Sequence, residues 1–141
     1  MTRVKIELPE DFIFTTDIPV RITDLNYGNH LANDAILALI HEARVRFLAS
    51  YGWSEKDVAG EAIIMADCAI RYRGEGFYGD VLQIEVAVTD FTRKGCDLVY
   101  RVTEKSTGRA IAEAKTGIVF YDYDQKKPVS VPEPFRQQFT D

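Results

Sequence analysis

The sequence predicts an α+β fold in which one long helix is wrapped by a curved antiparallel sheet of about five strands. Three observations predict it. Only the stretch that begins at Asn33 or Asp34 carries strong helical periodicity. A first strand precedes it, and four runs after residue 62 alternate apolar and polar residues with the period of a strand. Those runs are joined by short turns, Gly79-Asp80, Arg93-Lys94-Gly95 and Ser106-Thr107-Gly108, and hairpin turns make a sheet antiparallel. A lone helix between strands has its apolar face covered when the sheet curves around it.

The whole chain sets the bounds. A length of 141 residues suits one domain, residues 1–141, with a sizeable core. A content of 46% hydrophobic against 28% charged residues is that of a folded globular protein. The net charge is −5 and the basic residues are scattered, which argues against nucleic acid as a partner. Cys68 and Cys96 stand alone in sequence, so neither a metal site nor a disulfide framework is expected, and both read as reduced thiols. The opening MTRVKIELPEDFIF lacks a long apolar run, so the sequence shows no signal peptide or membrane span, and the expected location is cytoplasmic.

In chain order, Val4, Ile6 and Leu8 alternate until Pro9 stops them, and Phe12–Ile22 reads as an extended strand. Pro19 places that strand at an edge or a bend, since proline lacks a ladder donor. Asn33 or Asp34 is the expected N-cap of the helix. Ile36, Ile40, Ala43 and Phe47 form one apolar stripe, widened by Leu37, Leu39, Leu48 and Tyr51, and Gly52 is the expected stop. Roughly eighteen helical residues make a rod of ~27 Å, enough to run the length of a small sheet. Trp53–Gly60 is a connection with a helical turn expected at Ser54–Val58. Strands are expected at Ile63–Arg73, Val81–Phe91, Asp97–Lys105 and Ala110–Tyr121. In the last, Ala110, Ala112, Ala114 and Thr116 form a row of small residues that lets the helix approach the sheet. From Gln125 onward, Pro128, Pro132 and Pro134 suggest a surface tail.

Between the first strand and the helix lies a polar loop holding Asp24, Asn26 and His30. It meets the helix N-terminus, where free backbone N–H groups and the positive end of the macrodipole favour a developing anion. The loop reads in two ways. Asp24 is either a base or a turn residue bonding its own backbone, and Asn26-Tyr27-Gly28-Asn29 is what a tight loop needs. His30 is either an acid–base group or a bridge between loop and helix. Glu42 is either a carboxylate near the site or half of an ion pair with Arg46 one turn on. His41 reads as a surface or interface residue. Arg71, Arg73, Arg93 and Lys94 can hold phosphates or are ordinary surface charge.

The stretch TDLNYGNHLANDAILALIHEARVRFLASYG resembles the hotdog-fold acyl thioesterases, the superfamily of 4-hydroxybenzoyl-CoA thioesterase and the acyl-carrier-protein thioesterases. Their pattern is Asp-x-Asp, His-Val-Asn-Asn and then Glu-x-x-Arg inside the helix. Asp24-Leu25-Asn26, His30-Leu31-Ala32-Asn33 and Glu42-Ala43-Arg44 fall on it, with the Arg closer to the Glu than in some members. The segment IRYRGEGFYGDVL is similar to the family's second strand, loop and next strand opening, so the resemblance covers nearly the whole chain.

The resemblance implies a homodimer or homotetramer whose sheets join, with the site at the subunit boundary. The substrate is then the thioester of an acyl-CoA or acyl carrier protein, with coenzyme A entering as part of the substrate and no separate cofactor or metal. It implies hydrolysis to a free acid and a thiol, with Asn26 and His30 orienting substrate and water. Asp24 or Glu42 would activate the water, and the Asn33 end of the helix would polarise the carbonyl. The chain departs from the pattern at one place. Asn26 stands where many relatives carry the catalytic Asp, and an amide takes no proton at neutral pH. The base role then falls to Asp24, His30 or Glu42. The alternatives are a non-catalytic acyl-CoA or acyl-carrier binding protein and a hotdog hydratase or dehydratase.

Overall fold

The structure is a computed structural model, and it describes residues 3–140. Strand β1 (Phe14–Pro19) is followed by a short 3-10 turn (Ile22–Asp24) and by helix α1 (Asn33–Ala49). Strands β2 (Ala62–Tyr72), β3 (Val81–Thr89), β4 (Gly95–Glu104) and β5 (Ala110–Asp122) come next. A two-residue strand β6 (Lys127–Pro128) and helix α2 (Glu133–Phe139) complete the order. The sheet runs β1-β3-β4-β5-β2, antiparallel throughout, with β6 paired to β5. Of the three expected hairpin turns, only those after β3 and β4 are hairpins; the one at Gly79-Asp80 is instead the end of a crossover, because β2 pairs with β5 and not with β3. It curves around α1, the hotdog arrangement that the sequence predicts.

The stripe of α1 is buried as its spacing requires: Ile36, Leu39, Ile40, Ala43, Phe47 and Leu48 all lie in the core. Leu37 does not; it faces outward and is 39% exposed. Ala32, rather than Asn33 or Asp34, takes the N-cap position, and no side chain caps the helix. The tertiary structure fixes that entry. The N–H of Leu31 donates to Gly76 O and that of Ala32 to Asp24 O, both at 2.8 Å, so the chain is pinned before the helix begins. At the other end Gly52 makes the left-handed turn, with φ +78°. The connection after it consists of turns closed by Ser54–Asp57 and Val58–Glu61 bridges, without the expected helical turn.

Strand β1 is shorter than expected, with Pro19 as its last residue, opposite Val81. Residues 4–8 alternate but form no strand among the described residues. Ala112, Ala114 and Thr116 are buried in one row on the face toward α1, whereas Ala110 is exposed beyond a register shift.

The predicted surface tail is the clearest correction. Phe135 of α2 is fully buried, with ring centroids 5.2 Å from Phe120, 5.5 Å from Trp53 and 5.9 Å from Phe91. Val131, Phe135 and Phe139 are spaced four apart and stand on one side, which is what lets so short a helix dock. Of the prolines that suggested a loose tail, Pro132 and Pro134 open the helix, at its N-cap and first turn, and Pro128 ends β6.

Candidate active site

The polar loop is built around Asn26. Its Oδ1 accepts the N–H of Gly28 at 2.9 Å and that of His30 at 3.2 Å. Its N–H donates to His30 O at 2.8 Å, and a Leu25–Leu31 bridge closes the loop at its base. Asn29 adopts φ +64°, a conformation Asn tolerates. The amide oxygen is therefore spent on the loop, and what Asn26 has left to offer is its Nδ2 donor.

Asp24 is buried and committed. Its Oδ2 accepts the backbone N–H of Arg21 at 2.8 Å and Nε at 3.3 Å, and its Oδ1 accepts Nη2 at 3.2 Å. The same contact raises the Arg21 guanidinium above its ordinary range. Glu42 is exposed and pairs with Arg46 Nε at 2.8 Å. Arg46 in turn donates to Thr16 Oγ1 and Asp17 O, so Glu42 faces β1 and stands well over two turns from the loop. The loop and helix start thus bring together Asn26, His30 and Asn33. Asp24 serves the loop's frame, and Glu42 lies elsewhere.

His30 has neighbours that the sequence did not single out. Its Nδ1 is 3.5 Å from Glu75 Oε1, and the Phe77 ring stands edge-on at 5.4 Å between centroids. Both come from the loop between β2 and β3. Arg109 braces that loop by donating to Glu75 O at 3.2 Å and Asp80 Oδ2 at 3.1 Å. The only signal in the sequence was the Gly-rich segment Arg73–Asp80 itself. Which of its side chains meets His30 depends on the crossing of two loops.

The helix start supplies donors. The N–H groups of Asn33, Asp34 and Ala35 have no acceptor among the described residues, as the first turn of an uncapped helix leaves them. Tyr72 Oη donates to Asn33 O at 3.2 Å, tying β2 to this end of α1. Among the basic candidates, Arg73 pairs with Glu113 at 2.9 Å near the site loop. Arg93 and Lys94 lie in the β3–β4 turn, at the opposite end of β3 from the site. His41 is exposed and 2.7 Å from Glu55 Oε1.

A helix wrapped by a curved sheet, with an uncapped helix start facing a His-bearing loop, is an arrangement that the comparisons assign to a family. Residues 20–139 match the model of the thioesterase-like superfamily, and the chain belongs to that family. No protein of curated function matches it. Among solved structures it is similar to Slr0204, a 1,4-dihydroxy-2-naphthoyl-CoA thioesterase from Synechocystis, at 21% identity and a TM-score of 0.82, covering 91% of this chain and 96% of that one. The PA2801 protein from Pseudomonas aeruginosa has 18% identity and a TM-score of 0.84, over 92% and 100% of the two chains. A DHNA-CoA thioesterase from Staphylococcus aureus has 17% identity and a TM-score of 0.76, over 88% and 84%. At these identities the likeness is one of fold.

Proposed function

We propose that the protein is a thioester hydrolase that cleaves an acyl-CoA, or the equivalent acyl carrier protein thioester, to a free acid and a thiol. The observation that carries the reading is the pairing of His30 and Glu75 within a few residues of the free N–H groups of Asn33–Ala35. Hydrolysis needs a base for water and donors for the oxyanion, and this end of α1 offers both.

The steps follow from that placement. The His30 imidazole takes a proton from water, and the hydroxide adds to the thioester carbonyl. The oxyanion lies against the helix start. Collapse of the adduct expels the thiolate, which recovers the proton from the imidazolium. Glu75 orients His30 and stabilises its cation, while Asn26 Nδ2 directs a donor toward the water or the carbonyl.

The partner in this reading is a second copy of the chain. Met65–Cys68 are four consecutive exposed residues on β2, an edge strand eleven residues long. Consecutive exposure means that both faces of that edge are bare, and an unpaired edge of this length invites another strand. A homodimer, or a homotetramer built from it, closes the edge and covers the side of α1 next to β2. The scattered charge and free thiols suit the cytoplasm.

One observation favours a second reading, a non-catalytic acyl-CoA binder: position 26 holds an amide. The test is thiol release from short, long and aromatic acyl-CoAs by the wild type, His30→Gln, Glu75→Gln and Glu42→Gln. Hydrolysis with His30→Gln down by about a hundredfold or more, and Glu42→Gln near wild type, is the expected result. Tight acyl-CoA binding by the wild type without thiol release establishes the binder instead.

A further inference from the structure

Arg109 stands where β4 turns into β5, outside the loop and helix start that make the site. The turn that carries it is locked. The Ser106 and Thr107 N–H groups close on the Glu104 carboxylate, and Thr107 Oγ1 accepts the Arg109 N–H at 3.1 Å. Two backbone bonds of 2.8 Å, from Glu104 N–H to Arg109 O and from Gly108 N–H to Glu104 O, hold the rest, with Gly108 at φ +75°.

From this base one guanidinium nitrogen reaches the β2–β3 loop. Nη2 has two hydrogens, and it donates to Glu75 O at 3.2 Å and to Asp80 Oδ2 at 3.1 Å. The same Asp80 oxygen accepts the Phe77 N–H at 3.0 Å, and the guanidinium carbon lies 5.8 Å from the centre of the Phe77 ring. Before Glu75, the N–H groups of Arg73 and Gly74 both donate to Ile111 O; after it, Gly76 O accepts the Leu31 N–H. The backbone is thus held on both sides of Glu75, and Arg109 supplies the bond at Glu75 itself.

That bond matters because packing does not place the pair. The Glu75 side chain is 62% exposed and that of His30 42%, so their meeting has to come from the backbones that carry them. Asn26 holds His30 through both its N–H and its O, and Arg109 holds Glu75. Glu75 Oε1 then stands 3.5 Å from His30 Nδ1, with the Phe77 ring edge-on to the imidazole. Asp80 matches the charge of Arg109 and Arg21 that of Asp24, which leaves the Glu75 carboxylate for the ring. A neutral imidazole has one N–H and one bare nitrogen, and a carboxylate beside one nitrogen keeps the proton there. Glu75 faces Nδ1, so Nε2 is the bare nitrogen.

We propose that Arg109 is a positioning residue of the site: by fixing Glu75 it keeps the His30 proton on Nδ1 and leaves Nε2 to take a proton from water. The kinetic consequence rests on the thioester-hydrolase reading, whereas the tautomer does not.

The test reads tautomer and turnover in the same proteins. The chain has two histidines, and His41 is an internal reference, because its Nε2 lies 2.7 Å from Glu55 Oε1. Two-bond 1H–15N spectra at about pH 8.5, where an ordinary imidazole is neutral, are expected to show His30 protonated on Nδ1 and His41 on Nε2. Arg109→Met keeps an unbranched apolar stem and removes the donors. In it the His30 proton is expected to spread to Nε2 with His41 unchanged, and kcat for thiol release to fall about tenfold with little change in KM. Glu75→Met is expected to give the same spread if Arg109→Met does not fold. A wild-type His30 protonated on Nε2, a folded Glu75→Met that keeps the proton on Nδ1, or an Arg109→Met with wild-type tautomer and kcat overturns the inference and leaves the hydrolase reading intact. If the wild type releases no thiol, the hydrolase reading fails, and the spectra alone decide whether Arg109 sets the tautomer.

Discussion

Asn26 shows how one atom divides structure from chemistry. An Asp at this position would cap Gly28 and His30 through one oxygen and keep the other for a proton. Asn makes the same two bonds through Oδ1 and presents an N–H₂ group instead. Asn26→Asp should therefore fold as the wild type does and raise kcat for thioester hydrolysis by about tenfold or more, read by thiol release. Unchanged kcat in a folded variant would show that His30 already supplies the whole base function. Glu104 is a residue of the opposite kind, with a carboxylate serving only the fold. Ser106 and Thr107 each give it an N–H and a hydroxyl, and these bonds hold it well below the usual carboxylate range, at about 2 against 4.5. A depressed value in the folded state means stability present above pH 4.5 and lost as pH falls toward 2. The wild-type Tm should fall more steeply over that window than the Tm of Glu104→Gln.

At the scale of elements, the site depends on two loops crossing without a side chain between them. A Cβ at Gly76 would lie 2.9 Å from Leu31 Cδ2 and 3.0 Å from Leu31 Cβ, while Gly76 O accepts the Leu31 N–H. Gly76→Ala should force the β2–β3 loop away from the helix entry, costing about 1–3 kcal/mol of stability. Because that loop carries Glu75 and Phe77, kcat should fall as well, and thermal melts beside thiol-release kinetics read both effects. A variant with wild-type melting and wild-type kcat would mean that the loops adjust without moving His30. The long elements were legible in the sequence because each has a repeating pattern: the stripe from Ile36 to Phe47, and the alternation from Leu82 to Val88. Helix α2 was not. Seven residues opened by prolines give almost no periodic signal, and only the docking of Phe135 onto Phe120 and Trp53 makes them a helix worth forming.

For the whole molecule, the consequence lies at the β2 edge. A charge on Met65, in the bare part of that edge, should oppose pairing of two copies. Met65→Lys is expected to shift sedimentation from dimer toward monomer and to reduce turnover with it. A monomeric wild type would remove the joined sheet from the reading. The resemblance of the segment from Thr23 to Gly52 pointed to the family, and the match over residues 20–139 bears it out. It did not locate the partners of each side chain. Asp24, Asn26, His30 and Glu42 sit within nineteen residues of sequence, yet their roles diverge in space. Arg21 occupies Asp24, Arg46 holds Glu42 against β1, and Glu75 arrives at His30 from another loop.

The sequence by itself determined what repeats locally: one helix, its buried stripe, the strand alternation, the β3–β4 and β4–β5 hairpin turns and the loop motif before the helix. Each is set by the spacing of neighbouring residues, which periodicity reports directly. Only the tertiary structure decided the entry of α1 at Ala32, the docking of α2, the commitment of Asp24, the meeting of His30 with Glu75 and the bonds of buried Arg44 to Glu55 and Tyr100. Those features depend on residues far apart in the chain arriving at one place. Local spacing carries no information about a contact until the sheet has curved and closed the distance.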